Sequence, residues 1–221
     1  MARTVVITGT SRGIGRELAR QAAARGDRVI GTQRRGPAPE GVELRLADVT
    51  DPQAIGALAR SLAPGPVDLL VCNAGIYLGR GRIGEAAFPP EAWAQTFAVN
   101  VAGVFMTIEA MLPLLERAER PRIAIISSQM GSSARARGGA YIYRASKAAA
   151  TNLAVNLSID LRPRGIAVGA YHPGWVRTDM GGSGAEIDPA ESAAGLLARF
   201  EALDLSRSGC FEMWNGAPIP F

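Results

Sequence analysis

The stretch YRASK, Tyr143 to Lys147, holds the only lysine among the 24 strongly basic residues of this 221-residue chain. A tyrosine and a lysine at i and i+4 share one face of a helix, so both side chains can enter one site. A free phenol, with a pKa near 10, is a poor acid or base at neutral pH. A neighbouring ammonium favours the phenolate and lowers that value, which makes Tyr143 a candidate proton donor or acceptor for a carbonyl and alcohol pair. Arginine would also supply charge. It is planar, bulkier and fixed as a cation, whereas lysine is a compact charge able to bind sugar hydroxyls and join a proton relay.

A second constellation lies near the start of the sequence. TGTSRGIG, Thr8 to Gly15, places Gly9, Gly13 and Gly15 directly after an apolar, β-branched run. Glycines at a strand-to-helix turn let backbone approach a pyrophosphate, whose charge is favoured by the amides and dipole of the following helix. Ser11, Arg12 and Ile14 complete the loop. The pattern opens a βαβ unit, the context in which it signals dinucleotide binding. An NAD site usually ends its second strand on an acidic residue. Here that place falls near Gln33, followed by Arg34 and Arg35. With no carboxylate to repel a 2′-phosphate and a guanidinium able to pair with it, NADP(H) is favoured, with Arg12 as a possible second cation. Asp48, with Val49 after it, stands where an adenine amino group could be met, or where it could cap a helix beginning near Asp51.

These residues need a frame. Short β-branched runs alternate with helical periodicity: strands at RTVVIT, RVIGT, VELRLA, VDLLVC, RIAIIS, IAVGAYH and GCFEMW, with helices between them. The helices expected include one long one from about Glu91 to Glu116 and one from about Ala140 to Leu161. VVIT and IAII are apolar without alternation, as expected for strands covered on both faces. The expectation is a single-domain, doubly wound Rossmann fold of α/β class. Its seven-stranded sheet is mostly parallel, its crossovers right-handed, and its ligands lie at the carboxyl ends of the strands.

Composition narrows the function classes. Hydrophobic residues make up 48% and charged residues 20%, which excludes the charge-rich composition of disorder. The net charge is +4, but the arginines are scattered without a basic run, so no nucleic-acid partner is expected. The most apolar segment, VNVAGVFMTIEAMLPLL, is broken by Glu109 and Pro113, so no membrane span is expected. A strand begins within three residues of Met1, leaving no room for a signal peptide, and a cytoplasmic protein is expected. Cys72 and Cys210, each inside an apolar run, read as buried free thiols. One histidine, His172, makes a histidine-based metal site improbable, and its place before Pro173 suggests a structural role.

The motifs together are similar to those of the short-chain dehydrogenase/reductase family: TGTSRGIG; NAG at Asn73 to Gly75; Asn100 in VNVAG; ISS ending at Ser128; YRASK; and PGWVRTDM from Pro173. They stand in the family's order over nearly the whole chain. The resemblance implies that Tyr143 exchanges a proton with the substrate oxygen and that Ser128 hydrogen-bonds that oxygen. Lys147 would lower the tyrosine pKa and bind the nicotinamide ribose, and Asn100 would hold a water completing a proton relay. Asn73, Ala74 and Gly75 would support the adenosine side, and Pro173, Gly174, Val176 and Thr178 would line the nicotinamide. Ser127, Ser132 and Ser133 compete for the serine role, but Ser128 fits the SSxxG pattern through Gly131. A short segment between Thr178 and the last helix resembles the sniffer-type carbonyl reductases and C-factor signalling proteins. It implies a shallow substrate site, with Trp175 and Met180 as candidate walls and Met130 beside the serine. The implied reaction is NADPH-dependent reduction of an aldehyde or ketone, in a homodimer or homotetramer packed through its long helices. A cofactor-binding sensor with vestigial catalysis is the alternative.

Overall fold

The strand at Thr4–Thr8 (β1) has all five residues buried, because it lies in the middle of the sheet with helices on both sides. Side chains alternate across it: Val6 enters one core while Val5 and Ile7 enter the other. The structure is a computed structural model, and it describes residues 2–221. The other strands are β2 (Arg28–Gln33), β3 (Val42–Leu46), β4 (Leu69–Cys72), β5 (Arg122–Ile126), β6 (Ala167–His172) and β7 (Phe211–Met213). They form one sheet in the order β3-β2-β1-β4-β5-β6-β7, with every neighbouring pair parallel. The chain winds outward from β1 in one direction and returns to start β4 in the other, so the crevice between β1 and β4 is the topological switch point.

Helices cover both faces. Helix α1 (Gly13–Ala24) and helix α6 (Pro189–Ala202) pack Leu18, Ala22, Leu196 and Phe200 on one face. On the other lie α2 (Pro52–Leu62), α4 (Gly103–Leu115) and α5 (Tyr141–Asp160), which contribute Ile55, Met111 and Leu157. Each fully buried aliphatic side chain in these layers is worth roughly 1.5–3 kcal/mol over an exposed one. The run Pro90–Leu115 is long and apolar enough to cross a membrane by length and composition. Val104, Ile108, Met111, Leu114 and Leu115 from it are spent on the sheet instead.

The single long helix expected from about Glu91 is two helices, α3 (Pro90–Phe97) and α4, joined in line through a π-helical bulge at Ala98–Ala102. Such a bulge inserts one residue into the helical ladder and commonly marks a functional position. Here it contains Asn100.

Candidate functional site

Along the carboxyl edge of the sheet runs a cavity of about 740 Å³, reaching from the β1–α1 turn to the start of α5. At the first end the backbone makes the site. Gly9 and Gly13 have φ of +75° and +56°, a region open to glycine at little cost. A Cβ on Gly9 would stand 2.9 Å from Ala74 Cα, and one on Gly15 only 2.2 Å from the Gly9 oxygen, so β1, the turn and the post-β4 loop pack without side chains between them. Asn73 ties this junction together, donating from Nδ2 to the Thr8 and Gly9 carbonyls at 2.9 and 3.1 Å. Thr8 Oγ1 accepts from the Asn73 and Ala74 amides, each at 3.0 Å.

Helix α1 starts without a side-chain cap and with no acidic residue in its first turn. Helix α2, by contrast, is capped by Asp51, which accepts from Gln53 N and Ala54 N. The uncapped amides of α1 and its dipole therefore face the cavity as an anion cradle, lined by Gly9, Ser11, Arg12, Gly13, Ile14 and Gly15. Arg12 itself is paired with Asp179 at 2.7 Å, because that carboxylate is the anion nearest to it across the cavity mouth.

Asp48 is not the cap of α2. Its Oδ1 accepts from Thr50 N and Thr50 Oγ1 at 2.9 and 2.8 Å, bonds that hold its carboxyl below the usual range. It lines the cavity with Val49, Gln33 and Arg34. Gln33 is buried and uses Nε2 to fasten the following loop at the carbonyls of Gly36 and Pro37, 2.7 and 3.0 Å away. Its Oε1 and the neighbouring Thr32 Oγ1 are buried with no partner among the described residues, although both residues border the cavity. Arg34 is exposed on the cavity rim.

At the second end the site is made of buried side chains. Tyr143 and Lys147, both on α5, line the cavity and are 8% and 5% exposed. Lys147 Nζ donates to the Ile126 carbonyl at 2.7 Å and lies 5.7 Å from the Tyr143 ring centroid. Burial lowers the lysine to about 8. The expectation that Lys147 pulls the tyrosine down is not met. Burial, the largest effect, pushes Tyr143 up to about 12, with the Ser128 hydroxyl and the Arg80 charge opposing that rise, so desolvation of the phenolate outweighs the neighbouring positive charges.

Ser128 caps the short 3₁₀ turn Gln129–Gly131, its Oγ accepting from Met130 N at 3.1 Å. Its hydroxyl hydrogen is therefore free to point at Tyr143. Ser128 and Asn100 stand behind the cavity wall, where Ser127 is the serine that lines it at this end, but the other serines are committed or exposed. Ser127 is bonded to Lys147 O and Thr151 Oγ1, Ser132 to Pro220 O, and Ser133 is exposed. Asn100, 1% exposed, holds the Ile76 backbone at both ends, accepting from its N–H and donating to its carbonyl, each at 2.9 Å, and donates to Ser146 Oγ at 3.0 Å. Gly75 sits between the two polar residues: a Cβ there would be 3.4 Å from Asn100 Oδ1 and 3.5 Å from Lys147 Nζ.

Of the segment after β6, Pro173 and Thr178 line the cavity, whereas Gly174 and Val176 lie behind its wall. A Cβ on Gly174 would meet Ile187 at 2.3 Å and Trp214 at 3.0 Å, and Val176 is buried and bridged to Ile187, so these two serve packing rather than the lining. Met180 reaches the cavity, but Trp175 does not, its Nε1 donating to Gly181 O at 2.8 Å to brace the loop. His172 is buried, with neither ring nitrogen partnered among the described residues; burial lowers it to about 4, so it is neutral, and it does not line the cavity. Cys72 and Cys210 are free thiols, the first buried and the second half-buried.

Tyr77 and Arg80 are among the lining residues that the sequence did not single out. Tyr77 stacks on Tyr143 with ring centroids 4.3 Å apart, and the Arg80 guanidinium lies 4.4 Å above the Tyr77 ring. The signal available was positional only: both follow the NAG turn within a few residues.

The geometry agrees with what comparison with known proteins finds. The family model described as short chain dehydrogenase matches residues 3–187. The chain is 39% identical over 166 residues to the C-signal of Myxococcus xanthus, an alignment covering 75% of this chain and 99% of that protein. Among solved structures, NADPH-bound carbonyl reductase from chicken fatty liver superposes with a TM-score of 0.90 at 29% identity, over 100% of this chain and 99% of that one. Carbonyl reductase Sniffer of D. melanogaster superposes with a TM-score of 0.91 at 27% identity, over the whole of both chains. With the family model matched over residues 3–187, one parallel sheet in this order, and the glycine loop, the Asn73–Gly75 turn, Tyr143 and Lys147 lining one cleft, this chain belongs to the short-chain dehydrogenase family of oxidoreductases.

Proposed function

We propose that the protein is an NADPH-dependent reductase of an aldehyde or ketone. The observation that carries this reading is the pair Tyr143 and Lys147, buried together beside the Ser128 hydroxyl at one end of a cleft whose other end is an uncapped helix N-terminus. NADP(H) suits the residues present. The amides of Gly13, Ile14 and Gly15 would hold the pyrophosphate, and Gln33, Asp48 and Val49, which line the far end of the cavity, would border the adenosine. The exposed Arg34, with no carboxylate at the end of β2, would take the 2′-phosphate. The chicken carbonyl reductase, bound to NADPH, supports the same choice. When bound, the cofactor supplies a hydride to the carbonyl carbon.

The chain's own residues manage the oxygen and its proton. A Tyr143 pushed up to about 12 is a neutral phenol at pH 7, the form that donates a proton to a carbonyl oxygen during reduction. Ser128, whose oxygen is occupied by Met130 N, offers its hydrogen to the same oxygen as negative charge develops. Lys147, at about 8, is largely an ammonium at neutral pH, and its charge stabilises the tyrosinate left after proton transfer. Asn100 positions the Ile76 loop, with both Nδ2 hydrogens committed, so its side chain would hold a relay water only through the remaining Oδ1 lone pair.

The exposed Phe105 on α4 and Ile159 on α5 support assembly of two or four copies through those helices. The test of the function is a cofactor-consumption assay of the purified protein with NADPH over a panel of aldehydes and ketones. Oxidation of NADPH dependent on at least one carbonyl is expected. Confirmed NADPH binding with no oxidation across the panel would favour a sensor with vestigial catalysis.

A further inference from the structure

The substrate end of the cleft is bordered by two segments of unusual charge. The post-β4 loop, from Asn73 to Gly84, contains Arg80 and Arg82 and no acidic residue, and the stretch Ser127 to Arg144 contains Arg135, Arg137 and Arg144 and again no acidic residue. None of these five arginines forms an ion pair among the described residues, although nine other arginines do. Glu85, exposed just beyond the first segment, is the nearest acid in sequence. Asp179, which also lines the cavity beside Met180, is paired with Arg12, so the unpaired charge on this rim is positive, and such a rim beside a low-dielectric cleft concentrates anions.

Among the five, Arg80 alone lines the cavity. Its guanidinium lies over the Tyr77 ring, and Tyr77 is stacked on Tyr143, so the cation stands one ring away from the residue proposed to protonate the carbonyl. Its backbone is anchored from the same direction. Gly79 and Gly81 on either side have positive φ, and Gly81 O accepts at 2.8 Å from the N–H of Ala140, the residue that starts α5 in a left-handed conformation with φ of +48°. One donor, on the Arg80 terminal nitrogen, is used on Met180 O at 2.7 Å. A guanidinium carries five, so the fork remains available to a planar anion. Its positive charge also acts on the Tyr143 hydroxyl, lowering it against the effect of burial.

We propose that Arg80 is a specificity residue that binds a carboxylate carried by the carbonyl substrate, so that the substrate class is oxo acids rather than neutral carbonyls. A single braced fork matches one planar monoanion, and the aromatic pair of Tyr77 and Tyr143 fixes how far that anion stands from the reacting oxygen. The inference rests on the carbonyl-reductase reading, and its test separates the two.

The experiment uses the full chain with saturating NADPH and two aldehydes of like shape, 4-carboxybenzaldehyde and its methyl ester, with terephthalate as a non-reacting dicarboxylate. For the wild type, kcat/KM is expected to favour the free acid by roughly 10- to 100-fold, the usual worth of a hydrogen-bonded charge pair. In Arg80→Gln that ratio falls toward one, with the loss on KM, and Arg80→Lys recovers part of it. Calorimetry is expected to show terephthalate binding to the wild-type NADPH complex and about tenfold weaker binding to Arg80→Gln. A ratio near one in the wild type, or a ratio that Arg80→Gln leaves as it was, overturns the proposal. If neither aldehyde is turned over, the reductase reading is left to the wider carbonyl panel and the calorimetry alone decides the anion site: equal terephthalate affinity in both proteins overturns it, and weakened affinity in Arg80→Gln upholds it.

Discussion

The two ends of the cleft recognise their ligands by opposite means. At the β1–α1 turn, recognition rests on backbone: glycines that bring β1 and the post-β4 loop within contact, and a helix start that carries no cap of its own. At the α5 end it rests on side chains buried against their preference, a phenol pushed up and an ammonium pushed down. The first is a matter of shape, and any added atom obstructs it. The second is a matter of charge in a dry place, where exchanging one functional group for another changes the chemistry while the fold persists.

Substitutions that respect this division should separate the two ends. Lys147→Arg keeps the charge but not its compactness, at a buried position where Nζ is held by the Ile126 carbonyl. We expect kcat/KM to fall roughly 100-fold, as when a positioned proton-transfer group is lost, with little change in thermal midpoint. The wild-type profile should be level below Lys147's pKa of about 8 and decline above it, as the ammonium that stabilises the tyrosinate is lost, and the arginine variant should lack that decline because its cation does not titrate there. Full activity with an unchanged pH profile would remove the lysine from the mechanism.

Gly15→Ala attacks the other end through shape. Its Cβ would stand 2.2 Å from both Asn73 Nδ2 and Gly9 O, an overlap that must displace backbone. Denaturant unfolding should register about 1–3 kcal/mol of destabilisation, the usual cost of forced overpacking, together with weaker NADPH binding. The smallest effect is expected from Arg34→Ala, an exposed side chain on the rim. NADPH affinity should drop about tenfold while NADH affinity holds, a charge-assisted contact being removed without disturbing its neighbours. Equal affinities for the two nucleotides in the native protein would refute the 2′-phosphate assignment.

The division also explains which parts of the molecule could be read from sequence. Unbroken apolar runs such as VVIT announce strands buried on both faces, and the structure places them in a wholly parallel sheet. Tyr143 and Lys147 were legible because a helical repeat puts i and i+4 on one face, and both do line the cleft. The break at Ala98–Ala102 was not legible, since one extra residue in a helical ladder leaves the apolar pattern on either side almost undisturbed. Tyr77 and Arg80 were missed because they sit in a glycine-punctuated loop, where no period predicts where a side chain points. The sign of the tyrosine shift was misread for a different reason. Spacing reports that a lysine is near, but only the packed structure reports that its proton goes to Ile126 O and that burial outweighs its charge.

The most direct test of the whole account is the rate of carbonyl-dependent NADPH oxidation by Tyr143→Phe, measured beside its affinity for NADPH. Phenylalanine keeps the ring stacked on Tyr77 and removes only the hydroxyl. The account predicts NADPH binding close to wild type and a turnover lower by roughly 10²- to 10⁴-fold, the contribution of a positioned general acid. Turnover at the wild-type rate would contradict it.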